Sequence, residues 1–307
     1  MKLGFLTDCL PDLSLARIAS WARETGYDSL EIAAWPPDHR GDHPHACHLD
    51  VTDRGGESIR ETARILERYG LTASGIGFYG NNLHASEWER ERSHAQVRWC
   101  VDAAKSLEVP YVNTFIGRDV TLSEEDNLKL AERVLPPLAD YADRHGVTLT
   151  TENCPMGSWH PDGYLGNLAH SPQLWRWAAE KLGFRLNYDP SHLLVLGIDP
   201  VLALRENLGL VAHVQAKDTE IDALARARQG IHGLVRRADE PAKPGWWRYR
   251  VPGRGDLDWR RIIDVLDEGG YDGAVVVEHE DPVWSGSVER VERGLRVAYG
   301  TLRPLVG

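Results

Sequence analysis

Long hydrophobic runs are missing from this chain. Its apolar segments are strand-sized, well short of the roughly 20 residues a membrane helix needs, so no membrane association is expected. CxxC pairs are missing as well. Cys9, Cys47, Cys100 and Cys154 are scattered and read as the thiols of a cytoplasmic protein rather than a disulfide framework. The opening residues, MKLGFLTDCLPDLSLARIA, carry no basic stretch leading into an unbroken apolar core, so no signal peptide is expected. Positive charge is in short supply: 35 Lys and Arg against 46 Asp and Glu leave a formal net charge of −11. A nucleic-acid binder replaces counterions with Lys and Arg, so no nucleic-acid partner is expected. There is no GxGxxG turn after the first strand pattern, which weighs against an open dinucleotide-binding sheet, and there is no short repeat or low-complexity tract.

What is present is the composition of an ordinary soluble globular protein, 42% hydrophobic and 26% charged over 307 residues. Eleven tryptophans are many; most are expected to pack in the core, while sugar clefts also use aromatic faces against the apolar side of a ring.

Short apolar runs alternate with amphipathic stretches along the whole chain. Strands are predicted near 2–7, 29–34, 71–77, 110–115, 147–152, 184–189, 210–217 and 274–279. Helices are predicted near 13–25, 56–69, 87–107, 123–145, 171–182, 199–207, 258–268 and 286–303, several ended by glycine. This alternation predicts one domain over 1–307, a closed parallel (β/α)8 TIM barrel. The connection 218–257 after the seventh strand is far longer than usual. It holds Trp246, Trp247, Arg248, Tyr249 and Arg250 and is expected to be an ordered lid or wall over the barrel mouth, or part of a subunit contact.

Alternate side chains of a barrel strand point inward. In VTLTTE this groups Thr148, Thr150 and Glu152; in FRLNYD, Arg185, Asn187 and Asp189; in LVAHVQAK, Val211, His213, Gln215 and Lys217; in AVVVEH, Ala274, Val276 and Glu278. The opposite sets are apolar and should face the helices. Glu152, Asp189, His213 and Glu278 therefore fall inside, near the C-terminal strand ends where barrel active sites lie. Three converging carboxylates repel one another and resist desolvation unless a cation joins them. Three oxygens and one imidazole predict one divalent metal ion, Mn²⁺ first, with Mg²⁺, Co²⁺ or Zn²⁺ as alternatives.

Other residues are weaker candidates. Asp8 is read as either lining the mouth or capping a turn, and His84 as a substrate contact. Trp35, Trp159, Trp246 and Trp247 lie on or after strand ends, and at least one is expected to stack on substrate. The His-rich stretch 39–48, HRGDHPHACH, lacks the spacing of a structural zinc site and reads either as a loop beside the pocket or as a second metal site.

The segments TENC, NYDPSHLLVLGIDP, HVQAKD, WWRYRVPGRGDLDW and VVVEHED resemble the sugar phosphate isomerase/epimerase superfamily, the xylose-isomerase-like barrels that include ketose 3-epimerases and inosose dehydratases. The resemblance implies that Glu152, Asp189, His213 and Glu278 bind the metal and that Glu152 and Glu278 double as acid/base groups. It implies too that His192 and Lys217 contact substrate. Two positions depart from the related sequences: Ser158 stands where ketose epimerases often carry a glutamate, and Gln215 replaces the second histidine of an HVHAKD pattern.

The function expected is metal-dependent isomerisation or epimerisation of a sugar or keto-sugar, by proton abstraction through an enediolate. The alternative is a lyase of the same fold, an inosose-type dehydratase or a keto-glycoside-cleaving catalytic subunit, for which Ser158 and the aromatic loop speak. A homo-oligomer is expected, and the keto-glycoside reading would add a small partner subunit.

Overall fold

The computed structural model describes residues 1–37, 45–53, 55–232 and 245–307. Eight parallel strands close into a barrel: β1 Lys2–Leu6, β2 Ser29–Ala33, β3 Thr72–Gly77, β4 Tyr111–Thr114, β5 Thr148–Glu152, β6 Arg185–Tyr188, β7 Val211–Ala216 and β10 Ala274–Val277. Neighbours in sequence are neighbours around the ring, and β1 pairs with β10 to close it. The other two strands, β8 Asp218–Ile221 and β9 Trp247–Arg250, form a separate antiparallel hairpin.

Helices start where a short polar side chain can take a free backbone N–H. Ser14 Oγ accepts from Arg17 N ahead of helix Leu15–Thr25, and Gly26 at φ 101° ends that helix in the left-handed conformation. Ser123, Asp199, Asp258 and Ser287 cap later helices in the same way. The helix predicted over 123–145 is two helices, Glu124–Val134 and Pro136–Arg144, because Pro136 cannot donate to the preceding turn and starts a new one instead.

The outward faces of the strands are apolar, as parity predicts: Leu30, Ile32, Val112, Leu149, Leu186, Val214, Val275 and Val277 are all buried against the helices. The barrel interior is polar. Thr150 Oγ1 donates to Asn113 Oδ1 at 2.7 Å, Asn113 Nδ2 to Glu31 Oε1 at 2.8 Å, and Gln215 Nε2 to Glu31 Oε2 at 2.7 Å. Branched apolar layers usually fill such barrels. Here hydrogen bonds hold the strands in register, and glycine is needed where side chains cross: a Cβ on Gly77 would lie 2.8 Å from Glu31 Oε1.

Candidate active site and metal centre

Glu152 is the last residue of β5, Asp189 follows β6, and Glu278 follows β10, so all three emerge at the C-terminal mouth. Each offers a carboxylate oxygen, and these oxygens lie within 4.8 Å of one another. The backbone around them is pinned. Asn153 Oδ1 accepts from Asp189 N at 2.7 Å, and its Nδ2 donates to Asp189 O at 2.8 Å. Asn167 Nδ2 donates to Glu152 O at 3.1 Å.

Two cations share the site. Lys217 Nζ, buried at the end of β7, lies 2.8 Å from Glu278 Oε2, 3.2 Å from Asp189 Oδ2 and 3.3 Å from Glu280 Oε2. His192 Nε2 lies 3.0 Å from Glu152 Oε1 and 3.1 Å from Asp189 Oδ2. The hairpin covers both: Tyr249 Oη is 3.0 Å from His192 Nδ1, and Lys217 Nζ sits 4.6 Å from the centre of its ring.

Burial pushes Asp189 upward, but His192 and Lys217 outweigh it and hold this carboxyl down at about 2. Burial drives Glu278 well above the usual carboxylate range; Lys217 opposes that rise and Glu152 adds to it. Burial also opposes charge on Lys217, yet Glu278, Glu280 and Asp189 keep it an ammonium. Four carboxyl groups thus meet two cations. A divalent cation would add positive charge where the carboxyl groups outnumber these two cations.

The donor set fits such an ion. Three carboxylates are hard oxygen ligands of the kind Mg²⁺ and Mn²⁺ favour. Asp189 Oδ2 is buried and makes no aligned hydrogen bond, although His192 Nε2 and Lys217 Nζ lie 3.1 and 3.2 Å away, which leaves it free to take a metal ion.

The structure brings together Glu152, Asp189, Glu278, His192 and Lys217, but it sets His213 apart. His213 Nδ1 is 2.9 Å from Asn187 Oδ1 and Nε2 is 3.2 Å from Ser74 Oγ, which occupies both ring nitrogens inside the barrel. Burial lowers its pKa to about 3. The parity was right and the depth was not. Residues 213, 215 and 217 all point inward, but at about 3.3 Å per residue His213 lies roughly 13 Å below Lys217 along the strand. Around the ring, β7 contributes Lys217 between Asp189 of β6 and Glu278 of β10.

Trp35 stacks on His45 at 4.5 Å and packs beside Tyr79. Trp247 packs at 4.8 Å against Tyr249, the residue of β9 that reaches the site. His84 lines a separate cavity at the same end of the barrel. Asp8 takes the structural role: it accepts from Ala46 N at 2.6 Å and pairs with His45. Of the His-rich stretch, residues 39–44 lie outside the described residues; His48 is fixed between Thr7 Oγ1 and Leu13 O. Asp218 does not pair with Lys217 but collects Thr219 N, Gly253 N, Leu257 N and Trp259 Nε1, anchoring the long connection.

Three participants were not singled out from sequence. Tyr249 was hidden in an aromatic run. Cys154 groups with Glu152 and His192 in a second, softer donor set. Glu31 is fully buried and accepts from Tyr79 Oη at 2.5 Å; burial raises its pKa to about 7, against the pull of Tyr79, Asn113 and Gln215. Applying parity to Ser29, Glu31 and Ala33 would have turned Glu31 inward.

A family model described as xylose isomerase-like TIM barrel matches residues 19–300. The chain belongs to this family. Its carboxylate cluster is that of a metal-using enzyme. It is 27% identical to the Bacillus subtilis protein YfiH, over 100% of this chain and 99% of that one. An inosose dehydratase of Halalkalibacterium halodurans is 32% identical, over 67% of this chain and 64% of the relative. Among solved structures, a D-psicose 3-epimerase from Clostridium cellulolyticum superposes with TM-score 0.72 at 16% identity, covering 100% of this chain and 99% of that one, which shows the shared fold. No helix among the described residues is long and apolar enough to cross a membrane.

Proposed function

We propose that this protein is a divalent-metal-dependent isomerase or epimerase of a sugar or keto-sugar, which removes a proton from a carbon beside a carbonyl. The observation that carries the reading is the convergence of Glu152, Asp189 and Glu278 at the barrel mouth. These three residues would hold the metal, with Mn²⁺ the first choice. When bound, a divalent cation supplies positive charge opposite the negative charge that builds on the carbonyl oxygen as the C–H bond breaks.

The chain's own groups divide the remaining work. Asp189, held ionised at about 2, is suited to ligation alone. Glu278, pushed well above the usual carboxylate range by burial, is suited to take up and return a proton. Glu152 is the second acid/base group, oriented by His192, whose far nitrogen is fixed by Tyr249. The hairpin carrying Tyr249 and Trp247 excludes water from the reacting carbon. The substrate is a small sugar or keto-glycoside, and the four unpaired cysteines support a cytoplasmic setting.

A lyase is the second reading, favoured by Lys217 and His192. Two protonated nitrogens beside the carboxylates can deliver a proton to a departing hydroxyl or aglycone. The dehydratase relative supports the same chemistry. Incubating metal-loaded protein with candidate hydroxy-ketones in D₂O separates the two. Deuterium at the carbon beside the carbonyl, with the substrate's oxygens retained, supports the isomerase or epimerase; loss of water or aglycone supports the lyase. Full turnover by chelator-stripped protein would contradict both.

A further inference from the structure

At the C-terminal end of β3, β4 and β5 lies a cavity of about 240 Å³ lined by Asn81, His84, Ala85, Arg118, Val120 and Trp159. No acidic side chain is in that lining. This is unexpected in a chain of net charge −11, where a guanidinium ordinarily finds a carboxylate. Arg118 makes no ion pair with any described residue, and its Nε is buried with no hydrogen-bond partner. A guanidinium that lines a cavity and has no carboxylate partner is suited to take an anionic ligand.

The arginine is also held in place. Asn81 Oδ1 accepts from Arg118 N, and Asn81 Nδ2 donates to Arg118 O, both at 3.0 Å. The chain can close on Asn81 only because residue 117 is glycine: at φ 82°, a Cβ there would lie 2.0 Å from Asn81 Oδ1. Across the cavity, His84 Nδ1 accepts from Ser86 N at 3.1 Å, which leaves Nε2–H as a second donor. Trp159 supplies an apolar wall, its ring edge-on to Phe115 at 5.4 Å.

The cavity and the cluster share one frame. Gly117 N donates to Asn167 Oδ1 at 2.9 Å, and the same Asn167 side chain donates to Glu152 O at 3.1 Å. We infer that the cavity formed by Arg118, His84 and Asn81 is an anion subsite, which takes a carboxylate or phosphate group at the far end of the substrate whose carbonyl end lies over Glu152, Asp189 and Glu278. This rests on the proposed proton-abstraction reading and narrows its substrate class to acidic or phosphorylated polyhydroxy-ketones. A planar, always-charged guanidinium with a neighbouring N–H suits either oxyanion.

Calorimetric titration of metal-free protein with inorganic phosphate and, separately, with glycolate tests the subsite without a metal to bind the anion. One of the two is expected to bind once per chain. Arg118→Met should weaken that binding at least tenfold, Arg118→Lys less, while Lys217→Met leaves it unchanged. Circular dichroism and melting curves confirm that each variant is folded. Binding of phosphate alone supports a phosphorylated substrate, and binding of glycolate alone supports a carboxylic acid. Failure of both anions to bind, binding unchanged in Arg118→Met, or binding lost only in Lys217→Met would overturn the inference. None of these results depends on turnover. Proton exchange in D₂O with no anion binding would sink the subsite and leave the proposed chemistry standing, and the reverse holds.

Discussion

The ammonium of Lys217 lies 2.8 Å from Oε2 of Glu278, the closest contact between Lys217 and the carboxylates around it. The pair is almost wholly buried, with the lysine side chain 2% and the glutamate 15% exposed. A buried charge persists only when paired. Here the lysine and the metal proposed for the cluster compete for the same carboxylates.

Lys217→Met should therefore bind Mn²⁺ about tenfold more tightly or better at pH 8, because a positive charge a few ångströms from the ion is removed. Turnover should fall in the same variant, since Glu278 loses the partner that restrains its pKa. Calorimetry and steady-state kinetics read the two effects separately. Metal binding that weakens would contradict the competition.

Glu152→Gln and Glu278→Gln should each lower kcat by about 10²–10⁴, the range for a positioned acid/base group. The measurement is made at saturating metal, so that lost ligation is offset. A metal-loaded variant with near-normal kcat would remove that residue from the chemistry.

His213 gives a pH prediction with a definite sign. Its folded pKa is about 3, held down by burial, against an ordinary 6.5. The unfolded chain binds the proton more readily, so stability is fully present above pH 6.5 and is lost as pH falls toward 3. At pH 4 the loss is on the order of 3 kcal/mol. His213→Asn should flatten melting temperature against pH over that window. An unchanged slope would mean that His213 does not titrate as its burial requires.

Tyr249→Phe removes the hydroxyl from His192 Nδ1 and leaves a buried ring nitrogen unpartnered. Stability should drop by about 1–2 kcal/mol. Turnover should fall about tenfold as the His192–Glu152 contact loosens. Melting curves and kcat check the two, and an unaltered kcat would make the hairpin a cover only.

The barrel was legible in the sequence because helix and strand periods alternate without interruption, and parity turned Glu152, Asp189 and Glu278 inward. Depth was not legible. A period of two cannot tell His213 from Gln215 or Lys217, so an imidazole was assigned to the site where an ammonium stands. The hairpin was hidden for a different reason: Asp218–Ile221 and Trp247–Arg250 pair across 25 intervening residues, and no local pattern announces such a contact. With the hairpin unseen, Trp247 was a reasonable choice, yet Tyr249, two residues on and on the same face, carries the hydroxyl that reaches His192. The helix Ser191–Leu196, which presents His192, is too short to show a helical period.

The most direct measurement is an equilibrium titration of Mn²⁺ into chelator-stripped protein, repeated with Asp189→Asn, Glu278→Gln and His213→Asn. The carboxylate site predicts one ion per chain in the native protein, binding weakened by tenfold or more in the two carboxylate variants, and binding close to native in His213→Asn. No binding to the native chain, or binding lost with His213→Asn and kept with Asp189→Asn, would contradict it.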